Sequence, residues 1–190
     1  MDKIVTSARL VGLSGSLRKA SFSRATLAGL RNALPENIRL EIRDLQLPLY
    51  NEDDDGPAAP AAVLSLRQAI AGSDGVVIVT PEYNHGMPGV LKNALDWASR
   101  PFGKSVLIDK PVLVISVSPA FTGGVRAQAQ VNETLLSIPA RVMGGPQVVI
   151  GGIAGKTRDG VLLDQAGLSF ASAALRRMVT TVSRSSWQPC

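Results

Sequence analysis

The sequence predicts a doubly wound α/β layer sandwich built on a parallel sheet of five strands. Three observations carry that prediction. Short apolar runs alternate along the chain with stretches of helical periodicity, the order expected of repeated strand–helix–strand crossovers. Two of the runs, "DGVVIVTP" and "KPVLVISVS", are almost unbroken rather than alternating, as strands covered on both faces must be. Hydrophobic residues make up 45% and charged residues only 18% of the 190 positions, which supports one sizeable core and excludes a disordered chain.

In chain order, "RLVGLS" reads as the first strand and residues 23–34 as the first helix. "NIRLEIRDL" follows as the second strand, with Ile38, Leu40 and Ile42 alternating. Next comes "NEDDDGPAAP", an acidic, proline-rich loop too short to link domains. Its neighbouring carboxylates Asp53, Asp54 and Asp55 are expected to form a solvated rim. The second helix spans 61–70, the third strand is "DGVVIVTP", and the third helix spans 88–99. That helix is the best defined, because Pro88 suits a first turn, Leu91, Leu95 and Ala98 share one face, and Pro101 stops the run. "KPVLVISVS", a helix over 124–138, the short strand "PQVVIG" and a long helix over 165–182 complete the order. The chain is expected to form a single domain over residues 1–190, its last few residues a loose tail.

Composition narrows the function. The formal net charge is +5, but Arg9, Arg18, Lys19, Arg24, Lys104, Lys110, Arg176 and Arg177 are scattered, with no basic block interleaved with aromatics. No nucleic-acid partner is expected. The N-terminal "MDKIVTSARL" lacks an apolar signal core, and no apolar run approaches the roughly 18 residues of a spanning helix. A cytoplasmic protein with no membrane partner is therefore expected. Cys190 is the single cysteine, so no disulfide forms within the chain.

The chemistry concentrates in the turns that follow strands. In sheets of this class, ligands bind beyond the carboxyl ends of the strands. The turn "SGSLRKASFSR" lies there. Gly12 and Gly15 permit tight bending and close approach, Ser14, Ser16, Ser21 and Ser23 supply hydroxyls, Arg18 adds a charged fork, and the following helix start supplies free N–H groups. Together these residues make a phosphate cradle. A plain helix cap at Ser21 or Ser23 is the other reading, and both can hold at once. "GLSGSL" lacks the spacing of a dinucleotide fingerprint. "GIAGKT" resembles a P-loop, yet Ile150 stands where a P-loop needs glycine and Arg158-Asp159-Gly160 reads as a turn, so this segment is expected to be an ordinary loop.

The turn "TPEYNHGMPG" after the third strand carries Pro81, Glu82, Tyr83, Asn84 and His85. A planar heteroaromatic ligand fits against it, with Tyr83 bordering one face and Asn84 and main-chain N–H groups reaching its polar edge. His85 has no second histidine or cysteine for a metal site and no placed triad partners. After the fourth strand, Ser118 and the Phe121–Gly124 turn are positioned to close the far side of a ring. Arg126, at a helix start, opposes the dipole. It is expected to be solvated, or held by an acid across an interface or by an anionic ligand.

Three stretches, "GLSGSLRKASFSR", "TPEYNHGMPGVLKNALDW" and "GGVRAQAQ", resemble the NADPH-dependent FMN reductase family, and the helix that continues the third departs from many relatives at Val131-Asn132. The resemblance implies a flavodoxin-like three-layer sandwich. It implies FMN as cofactor, with NADPH or NADH as co-substrate. On the matching positions, Ser14, Ser16, Arg18, Ser21 and Ser23 surround the FMN phosphate, Ser23 standing where many relatives have asparagine. Pro81, Glu82, Tyr83 and Asn84 lie under the isoalloxazine and ribityl chain, and Ser118 lies at the other edge. No side chain is implied as an acid or base, because the flavin carries the hydride. The implied acceptors are small molecules, such as a quinone, free flavin, an azo dye or chromate, and the positive charge favours the anionic ones. A homodimer or homotetramer is implied. Two other functions fit the same cradle: a non-enzymatic flavodoxin-like electron carrier, and a flavin-free redox sensor.

Overall fold

The computed structural model describes residues 7–184; Cys190 lies outside them. The order is β1 (Ala8–Ser14), α1 (Phe22–Ala33), β2 (Ile38–Arg43), α2 (Ala61–Ala71), β3 (Gly75–Thr80), α3 (Gly89–Ala98), β4 (Pro111–Ser118), α4 (Val125–Ser137), β5 (Arg141–Val142), β6 (Val148–Gly151), a hairpin of β7 (Thr157–Arg158) and β8 (Val161–Leu162), and α5 (Gln165–Arg184). Every predicted strand and helix is present, with ends within two residues of expectation.

All pairings in the main sheet are parallel, in the order β2–β1–β3–β4–β5, with β6 also paired to β4. This is the flavodoxin-like arrangement, and its two layers of helices explain the unbroken apolar runs. Side chains alternate across a strand. Leu10, Val77, Val79 and Ile115 face one way, onto Leu27 and Leu30 of α1 and Leu175 and Met178 of α5. Val11, Leu13, Val76, Ile78 and Val114 face the other way, onto Leu66 of α2, Leu91 and Leu95 of α3 and Val131 of α4. A strand buried on both sides has no polar alternation to display.

The fifth sheet position is split. β5 pairs with Pro111 and Val112 at the start of β4, and β6 pairs with Ile115 to Ser118 at its end. Residues 143–147, which include Gly144, Gly145 and Pro146, detour between them. Gly145 has φ 112°, and proline has no N–H to give a ladder. Gln128 of α4 spans the detour: its Nε2 donates to the carbonyls of Val114 at 2.9 Å and Val148 at 3.3 Å.

The acidic loop before α2 departs from expectation at one residue. Asp53 and Asp54 are exposed, but Asp55 accepts a bond from Arg67 Nη2 at 2.7 Å, and the two side chains are 17% and 10% exposed. Arg67 Nε also donates to the Trp97 carbonyl. Burial raises the Asp55 carboxyl, but the bonds from Arg67 and the Gly56 N–H, with the charges of Arg67 and Arg100, outweigh it and hold the group below the usual carboxylate value. The solvated rim therefore stops at Asp54, because a guanidinium 12 positions on offers Asp55 a better partner than water. The fully buried Trp97 donates from Nε1 to Pro48 O at 2.9 Å, and Tyr50 meets its ring edge-on at 4.9 Å. These contacts fasten the β2–α2 connection onto α3.

The segment "GIAGKT" forms a short 3₁₀ turn leading into β7, not a helix, in line with the ordinary loop expected. The Asp159-Gly160 turn, with φ 50° and 75°, closes the small hairpin. Leu162 of the hairpin packs so tightly on Gly29 of α1 that a Cβ there would meet its carbonyl at 2.7 Å.

Candidate functional site

The turns after β1, β3 and β4 meet at the carboxyl edge of the sheet. They are brought together by backbone as much as by side chains. The Gly15 N–H donates to Val79 O at 2.8 Å, and a Cβ on Gly15 would meet Pro81 Cδ at 3.0 Å and Thr80 Cα at 3.2 Å. Gly15 is therefore small so that the first turn can lie against the β3 turn. Gly12 is packed by Leu27, whose Cδ2 stands 3.0 Å from where a Cβ would be. Packing inside the chain is thus reason enough for both glycines.

Within the first turn the hydroxyls divide. Ser14 and Ser21 are buried, their Oγ atoms 3.4 Å apart. Ser14 Oγ donates to Ser16 O at 3.2 Å, which sets the bend. Ser21 caps α1 by accepting from the Arg24 N–H. That leaves the N–H groups of Phe22 and Ser23, which no helical carbonyl reaches. Ser23 Oγ is buried without a hydrogen-bond partner, an unspent donor beside those N–H groups. Arg18 is exposed, its guanidinium 6.0 Å from the Phe22 ring. Free N–H groups, an unspent hydroxyl and a free guanidinium at one turn are the donor set a phosphate ester requires. The Ser21 cap takes only the Arg24 N–H and leaves these donors uncommitted.

The β3 turn is a tight reversal. Tyr83 and Gly86 exchange both backbone hydrogen bonds at 3.0 Å, and Asn84 and His85 sit at its tip with φ 49° and 65°. Both tip residues are left-handed, as a two-residue primed turn demands, and both are exposed. Tyr83 is 47% exposed, and its hydroxyl lies 3.4 Å from Ser16 Oγ. That contact joins the first turn to the second.

Glu82 does something the sequence did not reveal. Its carboxylate, 11% exposed, turns away from the tip. Oε2 accepts from the N–H of Arg126 at 3.0 Å and of Ala127 at 3.4 Å, and Oε1 pairs with the Arg126 guanidinium at 3.3 Å. α4 starts after Gly124, which has φ 86° and offers no side-chain cap, so Glu82 supplies the missing acceptor and a favourable charge at the helix start. Arg126 thus has its partner acid, from its own chain rather than across an interface. A second tie runs alongside, with Gln130 Oε1 accepting from Met87 N–H at 2.9 Å. No local spacing could reveal either tie, because the partners lie more than 40 positions apart.

The β4 turn completes the edge. Ser118 Oγ accepts from Ala120 N–H at 3.1 Å, and Gly123, with φ 65°, lies where a Cβ would strike Val149. Phe121 projects from this turn, 94% exposed. Among the described residues, no group of three or more His, Cys, Asp or Glu side chains is placed to hold a metal. No described helix is long and apolar enough to cross a membrane.

Comparisons with known proteins agree with this geometry. Residues 8–155 match the family described as NADPH-dependent FMN reductase. A quinone reductase of Pseudomonas putida is 39% identical over 169 residues, covering 88% of this chain and 91% of that protein. A 2-hydroxy-1,4-benzoquinone reductase of a Burkholderia species is 41% identical over 137 residues, covering 72% and 74%. Among solved structures, FerB, a flavoenzyme NAD(P)H:(acceptor) oxidoreductase from Paracoccus denitrificans, superposes with a TM-score of 0.80 at 31% identity, covering 93% of this chain and 97% of that one.

Proposed function

The chain belongs to the NADPH-dependent FMN reductase family, and from that premise we propose that it is an NAD(P)H-linked FMN enzyme that reduces flat, uncharged quinone-type acceptors. Bound here, FMN would supply the two-electron chemistry between a nicotinamide and the acceptor. The reaction balances as NAD(P)H, one proton and a quinone giving NAD(P)⁺ and the hydroquinone. Arg18, Ser16, Ser23 and the first N–H groups of α1 bind the phosphate, and Ser14 and Ser21 shape that turn. Tyr83 and Asn84 support the ring, with the backbone of Pro81 and Glu82 beneath it and Ser118 at its far edge. Glu82 serves through its backbone and through its hold on α4. A homodimer or homotetramer is part of the proposal.

The observation that carries the reading is the Ser16–Tyr83 contact at 3.4 Å, which joins an anion cradle and an aromatic turn into one continuous cleft edge. The acceptor class follows from charge. Across residues 80–88 and 118–126 the only acid and the only cation are Glu82 and Arg126, and they pair with each other. The net positive charge of the chain is therefore not expressed at the ring end, which favours uncharged acceptors over chromate. An absorbance spectrum of the purified protein, followed by anaerobic titration with NADPH and with NADH, tests the proposal. The expected result is a flavin band that bleaches with a nicotinamide and returns on adding a quinone. A protein that takes up no FMN refutes it.

A further inference from the structure

Phe121 is exposed to 94%, yet the turn that carries it is tightly held. Ala120 O accepts from the N–H groups of Gly123 at 3.2 Å and Gly152 at 3.3 Å. The Phe121 carbonyl sits so close to Gly151 that a Cβ there would approach it to 2.5 Å. The Glu82 carboxylate clamps the helix start just beyond. A phenyl ring on a fixed backbone offers contact area at little entropic cost, and its exposure forgoes burial that a core position would give.

The sheet order places this turn next to the β3 turn. β3 and β4 are neighbours, with Thr80 opposite Ser116, so their turns leave the sheet side by side. A Cβ on Gly124 would lie 3.5 Å from Glu82 Cβ. Phe121 and Tyr83 thus sit on adjoining turns at the carboxyl edge of the sheet, where Glu82 and Arg126 pair with each other.

We propose that Phe121 is a specificity-determining residue, an apolar wall against which a flat, uncharged aromatic acceptor lies while it is reduced. This rests on the proposed function above. Reduction of such an acceptor takes two electrons and two protons, one proton arriving with the hydride of NAD(P)H and one from water.

The test uses the FMN-loaded protein and its Phe121→Ala and Phe121→Trp variants, each assayed with menadione and with ferricyanide, an anion without an aromatic face. An aromatic contact of ordinary strength predicts that Phe121→Ala lowers the menadione-to-ferricyanide ratio of kcat/KM by about two- to tenfold, whereas Phe121→Trp restores it. An unchanged ratio in a protein with a normal flavin spectrum overturns this inference alone. A Phe121→Ala protein of smaller sedimentation mass also overturns it, because the ring would then be covered by a second copy of the chain. A protein that no addition of FMN colours refutes the proposed function, and this inference with it.

Discussion

Replacing Glu82 by alanine tests the tie between the β3 turn and α4. The carboxylate is nearly buried and accepts two backbone N–H groups at 3.0 and 3.4 Å. Losing an N-cap acceptor costs about 1 kcal/mol. Losing a negative charge at a helix start adds about 0.3–1 kcal/mol. The ion pair adds at most about 0.5 kcal/mol, since the Arg126 side chain is 53% exposed and its charge is screened by solvent. The sum is about 2 kcal/mol. For a chain of this size, each kcal/mol moves the midpoint by about 2–4 °C, so Glu82→Ala should lower Tm by about 4–8 °C. Glu82→Gln keeps an acceptor oxygen and gives up the charge, and should fall by roughly half as much. Thermal melts followed by circular dichroism at 222 nm measure both. A Glu82→Ala protein that melts within about a degree of the parent would show that α4 needs no acceptor from the β3 turn.

Arg18→Ala should weaken binding of FMN by about tenfold or more while leaving riboflavin affinity nearly unchanged, because a charged hydrogen bond to phosphate is worth about 1.5–3 kcal/mol; equal losses for both ligands, measured by fluorescence titration, would remove Arg18 from the phosphate. Arg67→Met should destabilise the fold by about 2–4 kcal/mol at neutral pH, since it strands the half-buried Asp55. Because the folded Asp55 carboxyl sits below its unfolded value, the stability it brings is present above about pH 4 and is lost as pH falls through the folded value. The gap between parent and variant in urea melts should therefore narrow below about pH 4, and a gap constant with pH would contradict the assignment. At the β3 tip, His85→Gly should be neutral or stabilising by up to about 1 kcal/mol, whereas His85→Val should cost about 1–2 kcal/mol, since a β-branched residue resists positive φ.

The framework was legible in the sequence wherever burial dictates composition. "GVVIVT" and "PVLVISVS" read as doubly covered strands because they are short, β-branched and without polar alternation, and Pro88 and Pro101 bracket α3 because of the N–H that proline lacks. Pro81, Gly86, Pro88 and Gly89 announced a turn after β3. What stayed hidden depends on partners distant in the chain. Glu82 reads as one more polar loop residue until folding brings Arg126 and Ala127 to it, and Asp55 reads as solvated until Arg67 is placed beside it. Gly12 and Gly15 were legible as places of close approach, but a sequence does not say whether ligand or backbone does the approaching. The divided fifth position was hidden for another reason: "RV" is too short to carry a period, and only its pairing with Pro111 and Val112 makes it a strand.

That division bears on how the molecule behaves in a crowded solution. An outermost strand with an unbroken row of free amides and carbonyls is a template on which another chain can add itself. Here the border beside β4 presents two stubs, of two and four residues, set apart by a glycine- and proline-bearing detour. Gln128 keeps the seam closed from within, so the sheet loses none of its internal cohesion there. A straightened border, obtained by deleting the detour, would be expected to aggregate through strand addition on mild heating, while the natural kinked one stays dispersed.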